Sequence, residues 1–318
     1  MDTLNQDATD RENVEVKPCR WFEVDGSWPK RPVPEKWTGI PGLAVDSDDN
    51  VWVFTRGNPA VQVFSPAGDY LFGWGSTEGS HYLRIDRDGC IWTTDINSHV
   101  VQKHTRDGAL LMTLGTEGEP GEDESHFYKP TDVAFASNGD IFVTDGYGNA
   151  RIVHFTASGT FVKAWGTLGA GATQFSSPHA IVIDSTDRLY IADRNNSRVQ
   201  IYTMDGELVD SWRDVLVPWG LWISGSDEIW TCGSTPVPWL QDPDRPDGMH
   251  GTDPRDHLIM KFNPAGRVLQ MFGFARCKEG QEKDGELNVV HGIALDSKGN
   301  VYLSDILGKR VQKFTPIG

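Results

Sequence analysis

Six stretches of this chain repeat one pattern, and that periodicity constrains the fold more than any other feature. Each opens with a short alternating strand, makes a tight turn, and enters a second strand that usually ends in a small residue plus Asp. They are PGLAVDSDDNVWVFTRG (41–57), SHYLRIDRDGCIWTTDI (80–96), PTDVAFASNGDIFVTDG (130–146), PHAIVIDSTDRLYIADR (178–194), PWGLWISGSDEIWTCGS (218–234) and VHGIALDSKGNVYLSDI (290–306). A third strand follows in every unit (VQVFSP, VVQKHT, RIVHFT, RVQIYT, LIMKFN, RVQKFT). Five units add a fourth, such as YLFGWG or FVKAWG. Four short strands with Gly/Asp turns and period-two alternation describe one blade of a β-propeller. Six units predict an all-β, six-bladed propeller.

The sixth unit stops after its third strand, at KFTPIG, while Arg20-Trp21-Phe22-Glu23-Val24 resembles the other outer strands. Residues 19–318 are therefore assigned to the propeller, its ring closed by an N-terminal strand that completes the last blade. Residues 1–18, polar and acidic, read as a disordered tail. Unit five carries a long insertion, residues 233–257, read as a solvated loop rather than a lid.

The bulk properties exclude several classes of function. A net charge of −16 disfavours a general affinity for nucleic acid or anionic membrane. No apolar run reaches the roughly 18 residues of a membrane span. The start of the chain lacks the basic and apolar regions of a signal peptide. Cys19, Cys90, Cys232 and Cys277 are scattered, with no CxxC pair, so neither a disulfide framework nor a thiolate zinc site is indicated. Isolated thiols fit a reducing cytoplasm, and no obligate protein partner is implied.

Topology assigns chemistry to one face. With strands lettered a to d from the axis outward, the short a–b and c–d turns share one face. The variable d–a and b–c loops share the other, where sites are usually built. At the start of strand a the six units carry Gly42, His81, Thr131, His179, Trp219 and His291. Histidine on alternate blades puts three imidazoles around the axis at approximately threefold spacing. That is the donor set of a divalent metal with one position open, zinc by first preference and another transition metal by second. His99, His104, His126 and His154 fall outside this register and read as structural or solvated; His250 and His257 belong to the insertion.

At the end of strand b, four units give Thr94-Asp95, Thr144-Asp145, Ala192-Asp193 and Ser304-Asp305, a repetition that argues for turn bonding. The deviations are more informative. Unit one has Arg56 in place of the Asp, unit three continues to Tyr147, and unit four continues to Arg194. Arg151, Arg198 and Arg310 recur in third strands and read as structural. Arg56 and Arg194 on the metal face suit a small carboxylate-bearing substrate. A dication and an arginine beside Tyr147 would favour its phenolate, making it a candidate general base.

The units look like NHL repeats, and PTDVAFASNGDIFVTDGYGNARIVHF, QFSSPHAIVIDSTDRLYIADRNNSRVQIY and VVHGIALDSKGNVYLSD resemble the peptidyl-α-hydroxyglycine α-amidating lyases. The resemblance covers nearly the whole propeller and is weakest in unit five. It implies zinc on His81, His179 and His291, catalysis by Tyr147, and carboxylate binding by Arg56 and Arg194. It further implies cleavage of an N-acyl-α-hydroxyglycine to an amide and glyoxylate. The family's structural calcium takes backbone carbonyls matched by Leu43 and Leu83, but Gly292 stands where that site has a carboxylate, which counts against calcium. Val289 and Gly148 replace a methionine and a cysteine of the family. Two alternatives remain open on the residues alone: a metal-dependent hydrolase using the same three histidines, and a non-catalytic NHL scaffold that binds a protein partner.

Overall fold

The computed structural model describes residues 21–30, 37–214, 216–235, 257–276, 281 and 283–317. The expected tail (1–18), Cys19, Cys277 and most of the 233–257 insertion lie outside these residues. Six four-stranded antiparallel sheets form the six blades. Blade 1 comprises Gly42–Val45, Val51–Phe54, Val61–Phe64 and Tyr70–Trp74. Strand a of the later blades is Ser80–Ile85, Asp132–Phe135, Pro178–Ile183, Val217–Ile223 and Val290–Leu295. Each strand a lies against strand a of the next blade, and blade 6 returns to blade 1. The innermost strands therefore wall a central channel.

The ring closes as expected. Trp21–Val24 pairs antiparallel with Arg310–Ile317 and becomes the outer strand of blade 6. Two side-chain devices repeat between blades and also close this seam. The first is a tryptophan in or just beyond an outer strand that covers the c–d turn of the next blade. Trp74 covers Gly108, Trp165 covers Gly206 and Trp212 covers Gly266, and Trp28 covers Gly68 across the junction. These glycines have φ between +74° and +92° and lie so close to the indoles that a Cβ would collide with them. The second is a clasp between a–b turns. Ser185 Oγ–H donates to Asp227 at 2.5 Å, and Ser297 Oγ–H donates to Asp49 at 2.7 Å across the seam.

Apolar residues of neighbouring blades interlock between the sheets; Trp92, Val101 and Leu114 of blade 2 share one cluster with Val133, Ile141 and Val143 of blade 3. Cys90 and Cys232 are free thiols, and Cys232 is buried. Among the described residues no helix is long and apolar enough to cross a membrane.

Candidate metal centre

Blades 2, 4, 5 and 6 each carry a β-bulge at the start of strand a, and the bulged stretch includes His81, His179, Trp219 or His291. Blades 1 and 3 pair without one at this point. A bulge adds one residue to one strand and re-aims its side chain. The three imidazoles converge with their ring centroids 4.7, 4.8 and 5.0 Å apart. One ligand nitrogen from each lies within 4.8 Å of the others, and all three residues are buried.

The backbone fixes which nitrogen faces the centre. His81 Nδ1 bonds to Thr131 O at 2.6 Å, His179 Nδ1 to Trp219 O at 2.5 Å, and His291 Nδ1 to Pro41 O at 2.6 Å. A carbonyl only accepts, so Nδ1 carries the hydrogen and Nε2 keeps its lone pair. The even blades thus give the imidazoles, and each following odd blade gives the carbonyl that orients one. Burial holds the imidazoles well below the usual histidine range, with neighbouring imidazoles, Arg56 and Arg194 adding to it; His291 falls to about 3. Neutral, oriented, converging imidazoles are the donor set of a transition-metal ion, and these residues fit one.

The structure brings the other candidates to the same place. Tyr147 OH lies 3.0 Å from His81 Nε2 and 2.8 Å from His179 Nε2, and Arg194 Nη1–H donates to it at 3.3 Å. Burial pushes the Tyr147 phenol above its ordinary value, although Arg194 and Arg56 pull it down. Desolvation outweighs the two guanidiniums. Arg56 Nε–H donates to Ser80 O at 3.3 Å, next to His81. Arg84, Arg151, Arg188, Arg198 and Arg310 each face a carboxylate. Neither Arg56 nor Arg194 does among the described residues, so two guanidiniums without an anion flank three neutral imidazoles.

The repeated Asp at the end of strand b is structural. Asp145 accepts from Tyr128 N–H, Asn149 and Arg151, and Asp193 from Ser176 N–H, Asn196 and Arg198. Calcium does not fit the remaining channel. Leu43 and Leu83 are buried on innermost strands, but Gly292 brings no carboxylate. A Cβ at that glycine would already meet Ser304 Oγ at 2.8 Å and Leu43 Cδ2 at 3.1 Å. Deeper along blade 2, Arg84 grips Asp132 with bonds of 2.9 and 2.5 Å and reaches Leu221 O at 3.1 Å. The channel carries its own cation there. Sequence reasoning placed Trp219 in the histidine register but gave it no role; the structure sets it beside His179 and His291, at 5.6 and 5.5 Å.

Comparison with known proteins agrees with this picture. The NHL-repeat family model matches residues 127–155 and 175–202. Peptidylglycine α-amidating monooxygenase of Rattus norvegicus is 31% identical over 284 residues, covering 86% of this chain and 26% of the rat protein. The probable peptidyl-α-hydroxyglycine α-amidating lyase of Caenorhabditis elegans is 39% identical over 180 residues, 55% of this chain and 49% of that one. The chain is an NHL-repeat propeller of the amidating-lyase family. It spans about a quarter of the length of the rat relative. NHL repeat-containing protein 3 of Homo sapiens is also similar, 27% identical over 93% of this chain and 84% of its own length. Within this family the channel mouth therefore carries the functional argument, because the fold hosts more than one role.

Proposed function

We propose that this chain is a metal-dependent carbon–nitrogen lyase, cleaving an N-acyl-α-hydroxyglycine-like carboxylate to an amide and glyoxylate. One observation carries the reading: three oriented, neutral histidines share a site with Tyr147 and two guanidiniums that have no carboxylate partner among the described residues. The name of the worm relative, a probable peptidyl-α-hydroxyglycine α-amidating lyase, points to the same chemistry.

When bound by His81, His179 and His291, a divalent ion, zinc by preference, supplies Lewis acidity toward the substrate hydroxyl and a positive charge beside the phenol. Arg56 and Arg194 take the substrate carboxylate, which turns the hydroxyl-bearing carbon toward Tyr147. Tyr147, as the phenolate, removes the hydroxyl proton. The carbonyl of glyoxylate then forms, the C–N bond breaks, and the departing nitrogen takes the proton back from Tyr147. Atoms and charge balance without a redox partner. The small size of the recognised end, one carbon bearing a hydroxyl and a carboxylate, leaves the acyl group unspecified and suits a small substrate.

The test is glyoxylate release from α-hydroxyhippurate by metal-loaded protein, with and without a chelator. Chelator-sensitive release is expected; metal-loaded protein that releases none overturns the lyase reading. The competing reading is a non-catalytic NHL scaffold that binds a protein partner. That reading predicts neither metal nor glyoxylate.

A further inference from the structure

Each odd-numbered blade brings one side chain up to the histidines. Tyr147 of blade 3 lies between His81 and His179, with ring centroids 4.9 and 5.4 Å away. Arg56 of blade 1 reaches the backbone beside His81, its Nε–H donating to Ser80 O at 3.3 Å. Trp219 of blade 5 stands edge-on between His179 and His291. Two of these three have candidate roles in the chemistry above. The third is in the same ring of residues and has none.

We propose that Trp219 is the positioning residue for Arg194, its indole fixing the guanidinium that receives the substrate carboxylate. The Arg194 guanidinium lies 4.7 Å from the Trp219 ring and 5.2 Å from the Tyr147 ring, so it contacts two aromatic faces. Its hydrogen bonds are sparse: Nη1–H to Tyr147 OH at 3.3 Å and Nε–H to Asn195 Oδ1 at 3.2 Å. An arginine held so lightly would lose rotamer freedom on gripping an anion, and the aromatic contacts reduce that loss by ordering it beforehand.

The clamp is itself anchored. Trp219 Nε1–H donates to Ser234 Oγ at 2.9 Å, which sets the plane of the indole. Trp219 O accepts from His179 Nδ1–H at 2.5 Å, so the same residue orients a metal ligand through its backbone. A tryptophan that served only as core filling would be fully buried against aliphatic side chains. Trp219 is partly exposed and presents its ring to a cation with no carboxylate partner among the described residues.

The inference rests on the proposed function only in giving Arg194 a carboxylate to bind. Its test uses metal-loaded full-length protein with Trp219→Phe, Trp219→Leu, Arg194→Gln and the Arg194→Gln/Trp219→Leu double variant. Calorimetry measures binding of hippurate, a carboxylate without the reactive hydroxyl, and kinetics follow α-hydroxyhippurate. Trp219→Leu should weaken hippurate binding and raise KM by roughly 2- to 30-fold, leaving metal content unchanged and kcat within a few-fold. Trp219→Phe should recover most of the loss, and Trp219→Leu should cost little once Arg194 is already Gln. Wild-type affinity in Trp219→Leu overturns the proposal, as does an equal loss in the Arg194→Gln background. So does a wild-type protein that binds no hippurate. Should Trp219→Leu fail to fold, unchanged hippurate affinity in Trp219→Phe counts against the proposal and a partial loss supports it. Trp219–Arg194 coupling on hippurate without glyoxylate release would sink the lyase reading and leave this inference standing.

Discussion

Two depths of one channel, only three residues apart along strand a of blade 2, are built in opposite ways. At His81 the polar groups face inward and are lightly held: three Nε2 atoms converge, two of them within hydrogen-bond reach of the Tyr147 hydroxyl, and two guanidiniums have no carboxylate among the described residues. At Arg84, about 10 Å further along the strand, everything is matched. Its guanidinium holds Asp132 through two bonds and Leu221 O through a third, and Asp132 also accepts Ile181 N–H at 2.9 Å. Tyr82 separates the levels, fully buried, its hydroxyl donating to His291 O at 2.9 Å. A buried polar group costs free energy unless it is satisfied. The lower level satisfies its groups internally and is structural. The upper level keeps its groups for a ligand, and the matched ion pair beneath gives it a rigid floor.

Substitutions at the two levels should separate cleanly. The largest effect belongs to Tyr147→Phe, which should keep its metal and lose roughly 10²- to 10⁴-fold in kcat, read by glyoxylate release. Full turnover would remove Tyr147 as the base. Next comes Arg84→Met, which strands Asp132 in the channel. It should lower unfolding free energy by roughly 3–5 kcal/mol in denaturant titration, and Arg84→Met/Asp132→Asn should regain part of that. A variant as stable as wild type would mean that the lower level is not structural. Arg56→Gln, at the upper level, should raise KM with a smaller change in kcat and no loss of stability. A kcat effect as large as that of Tyr147→Phe would give Arg56 a role beyond holding the carboxylate. Added calcium should have the smallest effect, leaving thermal unfolding unshifted, because Arg84 supplies the channel's cation and Gly292 offers no ligand. A calcium-dependent rise in unfolding temperature would contradict that.

Much of this contrast was written in the sequence. The blade count, the closing strand and the histidine register follow from local patterns, because turns and alternation are properties of a few consecutive residues. Arg56, Tyr147 and Arg194 stood out as departures from a repeat, and the structure gathers them around the histidines. What sequence reading missed depends on contacts between blades. The Arg84–Asp132 pair joins residues 48 positions apart, and nothing local marks either one. The bulges that re-aim His81, His179 and His291 add a residue without a Gly or Pro at the histidine itself. The carbonyls of Thr131, Trp219 and Pro41 that set the tautomers carry no side-chain signature. The burial that raises the Tyr147 phenol is likewise a property of the assembled ring. Trp219 was visible in the histidine register, but its meaning required seeing Arg194 lie on its face.

Elemental analysis of purified wild-type protein and of His179→Ala decides whether the upper level of the channel holds a metal ion and the lower level none. One equivalent of a divalent transition metal per wild-type chain is expected, with no bound calcium and with loss of the metal in His179→Ala while the fold stays intact. A wild-type chain that binds no metal, or a His179→Ala variant that keeps a full equivalent, would contradict it.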